Sequence, residues 1–125
     1  MRLPRSPEAP SRARAAVIER FRGRLDEATL FDVALAVSEL VNTSVEQPGA
    51  GPAGELGVEV GLEDDVVRIA VSDSGARVAP RGPAGSKRLG LLVVDKLAGS
   101  WGVTRDHAGR TRVWCELPLE PGRRG

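Results

Sequence analysis

Leu30, Val33, Ala34, Val37, Leu40, Val41 and Val45 recur at intervals of three, four and seven residues. That spacing predicts an amphipathic helix with one apolar stripe. Asp32, Ser38, Glu39, Asn42 and Thr43 fill its polar positions, and Asp26 or Thr29 can cap its start. A weaker stripe of Val17, Phe21 and Leu25 predicts an earlier helix over 11–25, with Ser11 as its N-cap. The arginines of that segment lie mostly off the stripe, as on a solvated face. Further on, the period changes to two. Leu56, Val58, Val60 and Leu62 alternate with Glu55, Gly57, Glu59 and Gly61, the pattern of a strand with one buried face. Asp64-Asp65 supplies a turn, and 66–71 returns as the partner strand of a hairpin. Leu91, Leu92, Val94 and Leu97 predict a core helix over 89–99. Trp101-Gly102-Val103 opens a strand, and Val113, Cys115 and Leu117 share one face of a last strand over 112–117.

Between these elements the chain is not periodic. Pro4, Pro7 and Pro10 mark 1–11 as a flexible arm. A Pro/Gly-rich link at 47–52, a long loop at 76–88, a turn at 106–109 and a polar tail at 120–125 complete the reading. One domain, 12–119, accounts for the rest. Its element order predicts an α/β two-layer sandwich, a mixed, mostly antiparallel sheet covered on one face by helices.

Composition narrows the chemistry. The 125 residues carry a formal net charge of +1, so no global field points to direct nucleic-acid binding. Only Lys87 and Lys96 are lysines among 18 basic residues; with the Ala, Gly and Pro content, this reads as coding bias rather than phosphate recognition. Cys115 is the one cysteine and His107 the one histidine, which excludes an intrachain disulfide and a multi-cysteine zinc site. Cys115 reads as a buried thiol, Trp101 and Trp114 as packing residues, and His107 as an exposed turn residue. No uninterrupted apolar run approaches the ~20 residues of a membrane span. The N-terminus lacks the apolar core of a signal peptide, so a cytoplasmic protein without membrane contact is expected.

Three segments mix acid, amide and glycine at element ends: 39–43, 73–75 and 85–90. A nucleotide site needs such groups. Acid or amide oxygens hold magnesium or orient a hydroxyl. A carboxylate can accept a hydrogen bond from the adenine amino group. Glycines at a helix N-terminus let the backbone approach phosphate.

Taken in order, these segments resemble the histidine-kinase-like ATPases of the Bergerat fold, in particular the actinobacterial anti-sigma-factor serine/threonine kinases. Ser38-Glu39-Leu40-Val41 resembles the start of the family's N-box, and Val71-Ser72-Asp73-Ser74-Gly75 its first glycine box. Leu89-Gly90-Leu91-Leu92-Val93-Val94-Asp95 resembles the second glycine box. The segments 97–103 and 111–117 resemble the C-terminal helix and strand pair, so the likeness covers roughly 13–117. The resemblance implies ATP and Mg2+ as cofactors. It implies Glu39 as general base or orienting group, Asp73 as the reader of adenine and Gly75 beside the base. Gly90 and Leu91 would lie at the phosphates, and 76–89 would form a lid over the nucleotide. It also implies a protein partner such as a sigma factor or an anti-anti-sigma protein, and it allows a homodimer.

Three positions depart from the family pattern. The magnesium asparagine is expected four residues after Glu39, where Thr43 stands; Asn42 comes one residue early, about 100° away around a helix. Asn42 or Thr43 is therefore the candidate metal ligand. Arg77 replaces a second glycine of the first box. Ser86-Lys87-Arg88-Leu89-Gly90-Leu91 keeps one of three phosphate-loop glycines, leaving Lys87 and Arg88 to meet phosphate by charge. Two readings stay open. One is an ATP-binding regulator that phosphorylates its partner. The other is a degenerate, non-catalytic module that only binds it.

Overall fold

The computed structural model describes residues 1–45, 54–73, 89–105 and 111–119. The expected link at 47–52, the lid at 76–88, the turn at 106–109 and the tail at 120–125 lie outside them. Within the described residues run β1 (Arg2–Pro4), α1 (Ala9–Phe21), α2 (Glu27–Val45), β2 (Glu55–Glu63), β3 (Val66–Asp73), α3 (Leu89–Leu97), β4 (Ser100–Arg105) and β5 (Thr111–Pro118).

The five strands form one sheet in the order β1-β2-β3-β5-β4. Every described pairing is antiparallel, so the sheet is antiparallel rather than mixed. The β2–β3 hairpin turns at Asp64, which takes φ 54°. Aspartate tolerates this left-handed region better than most side chains.

Residues 2–4 correct the expectation of a loose arm. They pair with β2, Leu3 facing Leu56, and the N-terminal ammonium donates to the Val58 carbonyl at 2.9 Å. Leu3 is buried in the core. Helix α1 also differs from its expected span. It begins at Ala9, with Pro10 in its first turn, where the missing N–H costs nothing. Ser11 is not the cap; its hydroxyl donates to the Glu8 carbonyl. The helix ends at Phe21 because Gly23 turns the chain at φ +85°. Leu25 still reaches the core, held by its N–H to the Phe21 carbonyl.

Helix α2 starts where Asp26 caps it, its Oδ1 accepting from the Thr29 N–H at 2.9 Å. Val33, Ala36, Val37, Leu40 and Val41 are fully buried. The helix packs against α1, α3, β2, β3 and β5, the central position in the helical layer. By length and composition alone α2 could cross a membrane, but this fold buries its apolar stripe in the core. Val58, Val67, Ile69, Val71, Val113 and Cys115 supply the sheet side of the same core.

The other sheet face carries Glu59, Arg68, Ala70, Arg112, Trp114 and Glu116, with Arg112–Glu59 and Arg68–Glu116 ion pairs. Trp114 lies across Gly102, where an added Cβ would come within 2.9 Å of the indole.

Candidate functional site

One cross-strand row runs along an end of the sheet. The register places Leu3 opposite Leu56, Leu56 opposite Asp73, Asp73 opposite Thr111, and Thr111 opposite Arg105. At ~4.8 Å between strands, Leu3 and Thr111 are about 14 Å apart across this row. Arg5 follows β1 directly; its N–H donates to the Gly54 carbonyl, and its buried guanidinium donates to the Ser44 carbonyl at 2.5 Å. Ser44 sits in the last turn of α2. The cation satisfies a carbonyl that helix geometry leaves without an internal partner, at the negative end of the helix dipole. This tie brings the Asn42–Thr43 end of α2 to the same end of the molecule as Asp73 and Thr111.

Along α2, Glu39 and Asn42 are half-buried, and Thr43 is buried. Thr43 Oγ1 donates to the Glu39 carbonyl at 2.9 Å, so its proton is held inside the helix and only its lone pairs remain for a cation. Ser38 is buried in the same way, donating to the Leu35 carbonyl at 2.9 Å. Asn42 is therefore the more accessible of the two candidate magnesium ligands.

Asp73 ends β3, at the same parity as the core positions Val67, Ile69 and Val71. Its register partner was not among the sequence candidates. Thr111 is 3% exposed, and its Oγ1 has no hydrogen-bond partner among the described residues. An unsatisfied buried hydroxyl costs about 1–3 kcal/mol. Buried polar groups are nearly always paired, so this one marks a place where a polar ligand atom or water fits. A Thr at the core parity of β5, in phase with Val113, Cys115 and Leu117, was the signal in the sequence.

Gly90 and Leu91 fall in the first turn of α3, a helix packed against α2. Its last turn is tied to the sheet by Trp101 Nε1, which donates to Asp95 Oδ1 at 2.8 Å. Gly75, Lys87 and Arg88 lie outside the described residues. Among the described residues no three His, Cys, Asp or Glu side chains gather as a metal cage. A cation here would share its ligands with a phosphate, as magnesium commonly does.

These groups stand on a five-stranded antiparallel sheet and on the central helix packed against it. The chain belongs to the histidine kinase-like ATPase domain family, whose model matches residues 3–116. Among solved structures it is similar to the RsbU and RsbW domains of Rv1364c from Mycobacterium tuberculosis. The TM-score is 0.67 and the identity 22%, over 98% of this chain and 33% of that one. The chain thus spans about a third of that protein's length, and at this identity the likeness shows the fold. No curated protein matches the sequence.

Proposed function

We propose that this domain is an ATP-binding regulator of the anti-sigma-factor kinase type, controlling a protein partner such as a sigma factor or an anti-anti-sigma protein. The observation that carries the reading is the orphaned Thr111 hydroxyl opposite Asp73, at the end of the molecule where α2 presents Glu39 and Asn42. A carboxylate in register with a buried hydroxyl suits a base edge that offers an amino group and a ring nitrogen. The residues present fit adenine on that side, and the oxygens of Asn42 and Thr43 are hard donors suited to Mg2+.

ATP, when bound, supplies a transferable phosphoryl group whose charge Mg2+ neutralises. Asp73 and Thr111 would hold the base. Glu39 would accept the proton of a serine or threonine hydroxyl at its carboxylate. The first turn of α3, at Gly90 and Leu91, would offer backbone N–H groups to phosphate. Phosphoryl transfer depends chiefly on positioning and charge neutralisation.

A specific observation favours a second reading, in which the domain binds nucleotide and partner without efficient transfer. Thr43 stands where the resemblance expects the magnesium amide, and its hydroxyl is turned back onto the Glu39 carbonyl.

The test compares ATP and GTP. The intact chain should prefer ATP, and Asp73→Asn should weaken ATP binding by about 10-fold or more, since a hydrogen bond to a charged group contributes about 1.5–3 kcal/mol. Equal affinity for the two nucleotides in the wild-type chain would overturn the assignment of Asp73.

A further inference from the structure

We propose that Arg5 is a positioning residue for the magnesium end of the nucleotide site. Its buried guanidinium holds the last turn of α2, and through that turn it keeps Asn42 in the geometry a cation needs. This rests on the reading of Asn42 as the amide that meets Mg2+, and it adds a residue from the edge of the sheet.

Helix α2 has no lysine or arginine of its own, in its last turn or elsewhere. The carbonyls of a helix's last turn have no partner within the helix, so this turn is the first to fray. Arg5 reaches it from the end of β1, an edge strand of the sheet. Arg5 is 9% exposed, and its Nη1 donates to the Ser44 carbonyl at 2.5 Å. Its own N–H donates to the Gly54 carbonyl at 3.1 Å, and Leu3, two residues earlier, is buried opposite Leu56. The residue is therefore fixed at both ends, its backbone by the sheet side and its guanidinium by the helix. A hydrogen bond from a cation is stronger than a neutral one.

Asn42 stands two residues before Ser44, about 3 Å along the axis and within the same turn. It is half-buried and carries the one side-chain amide of that turn. Its neighbour Thr43 is buried, with its hydroxyl donating to the Glu39 carbonyl. A frayed turn must be ordered again before Asn42 can meet a cation, and that ordering subtracts from affinity. Arg5 supplies the order in advance. The base side of the site, Asp73 opposite Thr111, stands on β3 and β5 and is built without this turn. Arg5 therefore acts on the metal-dependent part of nucleotide binding and leaves base recognition alone.

The test titrates the intact chain with Mg–ATP, with ATP in chelator and with adenosine. In Arg5→Met the gain that magnesium gives to ATP binding should fall about fivefold, as for a residue that touches neither ligand, while adenosine affinity stays within about twofold. Arg5→Lys keeps a cationic donor for the single carbonyl and should recover most of the gain. In the Asn42→Ala background, adding Arg5→Met should change the gain by less than about twofold, because the two residues act as one unit. Amide exchange on the wild-type chain needs no variant: Mg–ATP should slow the Arg5 N–H at least about threefold more than adenosine does, by the reciprocity of linkage. If Arg5→Met does not fold, this exchange measurement decides alone, and no added slowing overturns the proposal. An equal loss for adenosine and Mg–ATP in Arg5→Met also overturns it, since that marks a purely structural role. Failure of the wild-type chain to bind ATP, or to bind it more tightly with magnesium, overturns the nucleotide reading and the role of Arg5 with it. A wild-type magnesium gain that Arg5→Met retains in full overturns the role of Arg5 alone.

Discussion

Replacing Thr111 by valine should make the free protein more stable and its nucleotide complex weaker. Valine matches threonine in shape and removes the Oγ1 that is buried without a partner among the described residues. Relieving that group is worth about 1–2 kcal/mol, toward the lower end of the cost of an unsatisfied buried polar atom. For a domain of this size the gain corresponds to a melting rise of about 3–8 °C. The sign reverses for binding. If the hydroxyl pairs with the adenine edge, valine loses a neutral hydrogen bond of about 1–1.5 kcal/mol, and Kd rises about 5- to 12-fold. The two effects meet in one thermal-unfolding series. At ATP equal to 100 times the wild-type Kd, ligand stabilises the wild type by about 2.7 kcal/mol, but a variant bound tenfold more weakly by only about 1.4. The stability advantage of the variant should therefore shrink or vanish as ATP is added. Thr111→Val less stable than wild type without ligand would show that the hydroxyl already has a partner. A constant advantage at all ATP concentrations would show that it does not touch the nucleotide.

Exchanging the neighbours in α2, Asn42→Thr with Thr43→Asn, should raise magnesium-dependent nucleotide affinity severalfold, measured as the difference between titrations with magnesium and with chelator; no difference would place the fault in the phosphate loop. Arg5→Met keeps the apolar stem but leaves the Ser44 carbonyl without its charged donor, so chemical denaturation should show a loss of about 1.5–3 kcal/mol; an unchanged midpoint would mean the tie contributes little. The Cys115 thiol is pushed up to about 12, first by burial and then by the nearby Glu116 charge. Raised above its ordinary value of 9.0, it supports the fold fully below pH 9 and less as pH climbs from 9 toward 12, by about 1.4 kcal/mol per unit. Cys115→Ala should flatten that alkaline slope, and the native thiol should resist iodoacetamide at pH 8.

The elements with their own strong periodicity were legible in the sequence. Helix α2 has enough apolar positions at helical spacing to mark the element, with Asp26 and Thr29 both open as its cap until the structure selected Asp26, and β2 and β5 alternate cleanly. The burial of Cys115 follows from that alternation. Strand β1 was not legible, because three residues ending in Pro4 have no pattern. Their order comes from pairing with β2 and from burial of Leu3. The cap of α1 was read three residues late, at Ser11 instead of Glu8, because the polar Ser11 resembles a cap, while Pro10 is simply well placed in a first turn. Glu39, Asn42 and Asp73 stood out as polar groups at element ends. Thr111 did not, since a β-branched residue opening a strand is ordinary until its burial and register are known. The Arg5–Ser44 contact joins residues 39 apart in sequence, and no local signal marks it.

The most direct measurement is calorimetric titration of the intact chain with ATP, in the presence and absence of magnesium. The account predicts saturable binding of one nucleotide per chain at or below millimolar concentration, reduced at least tenfold by Asp73→Asn. No heat of binding at millimolar ATP would contradict it.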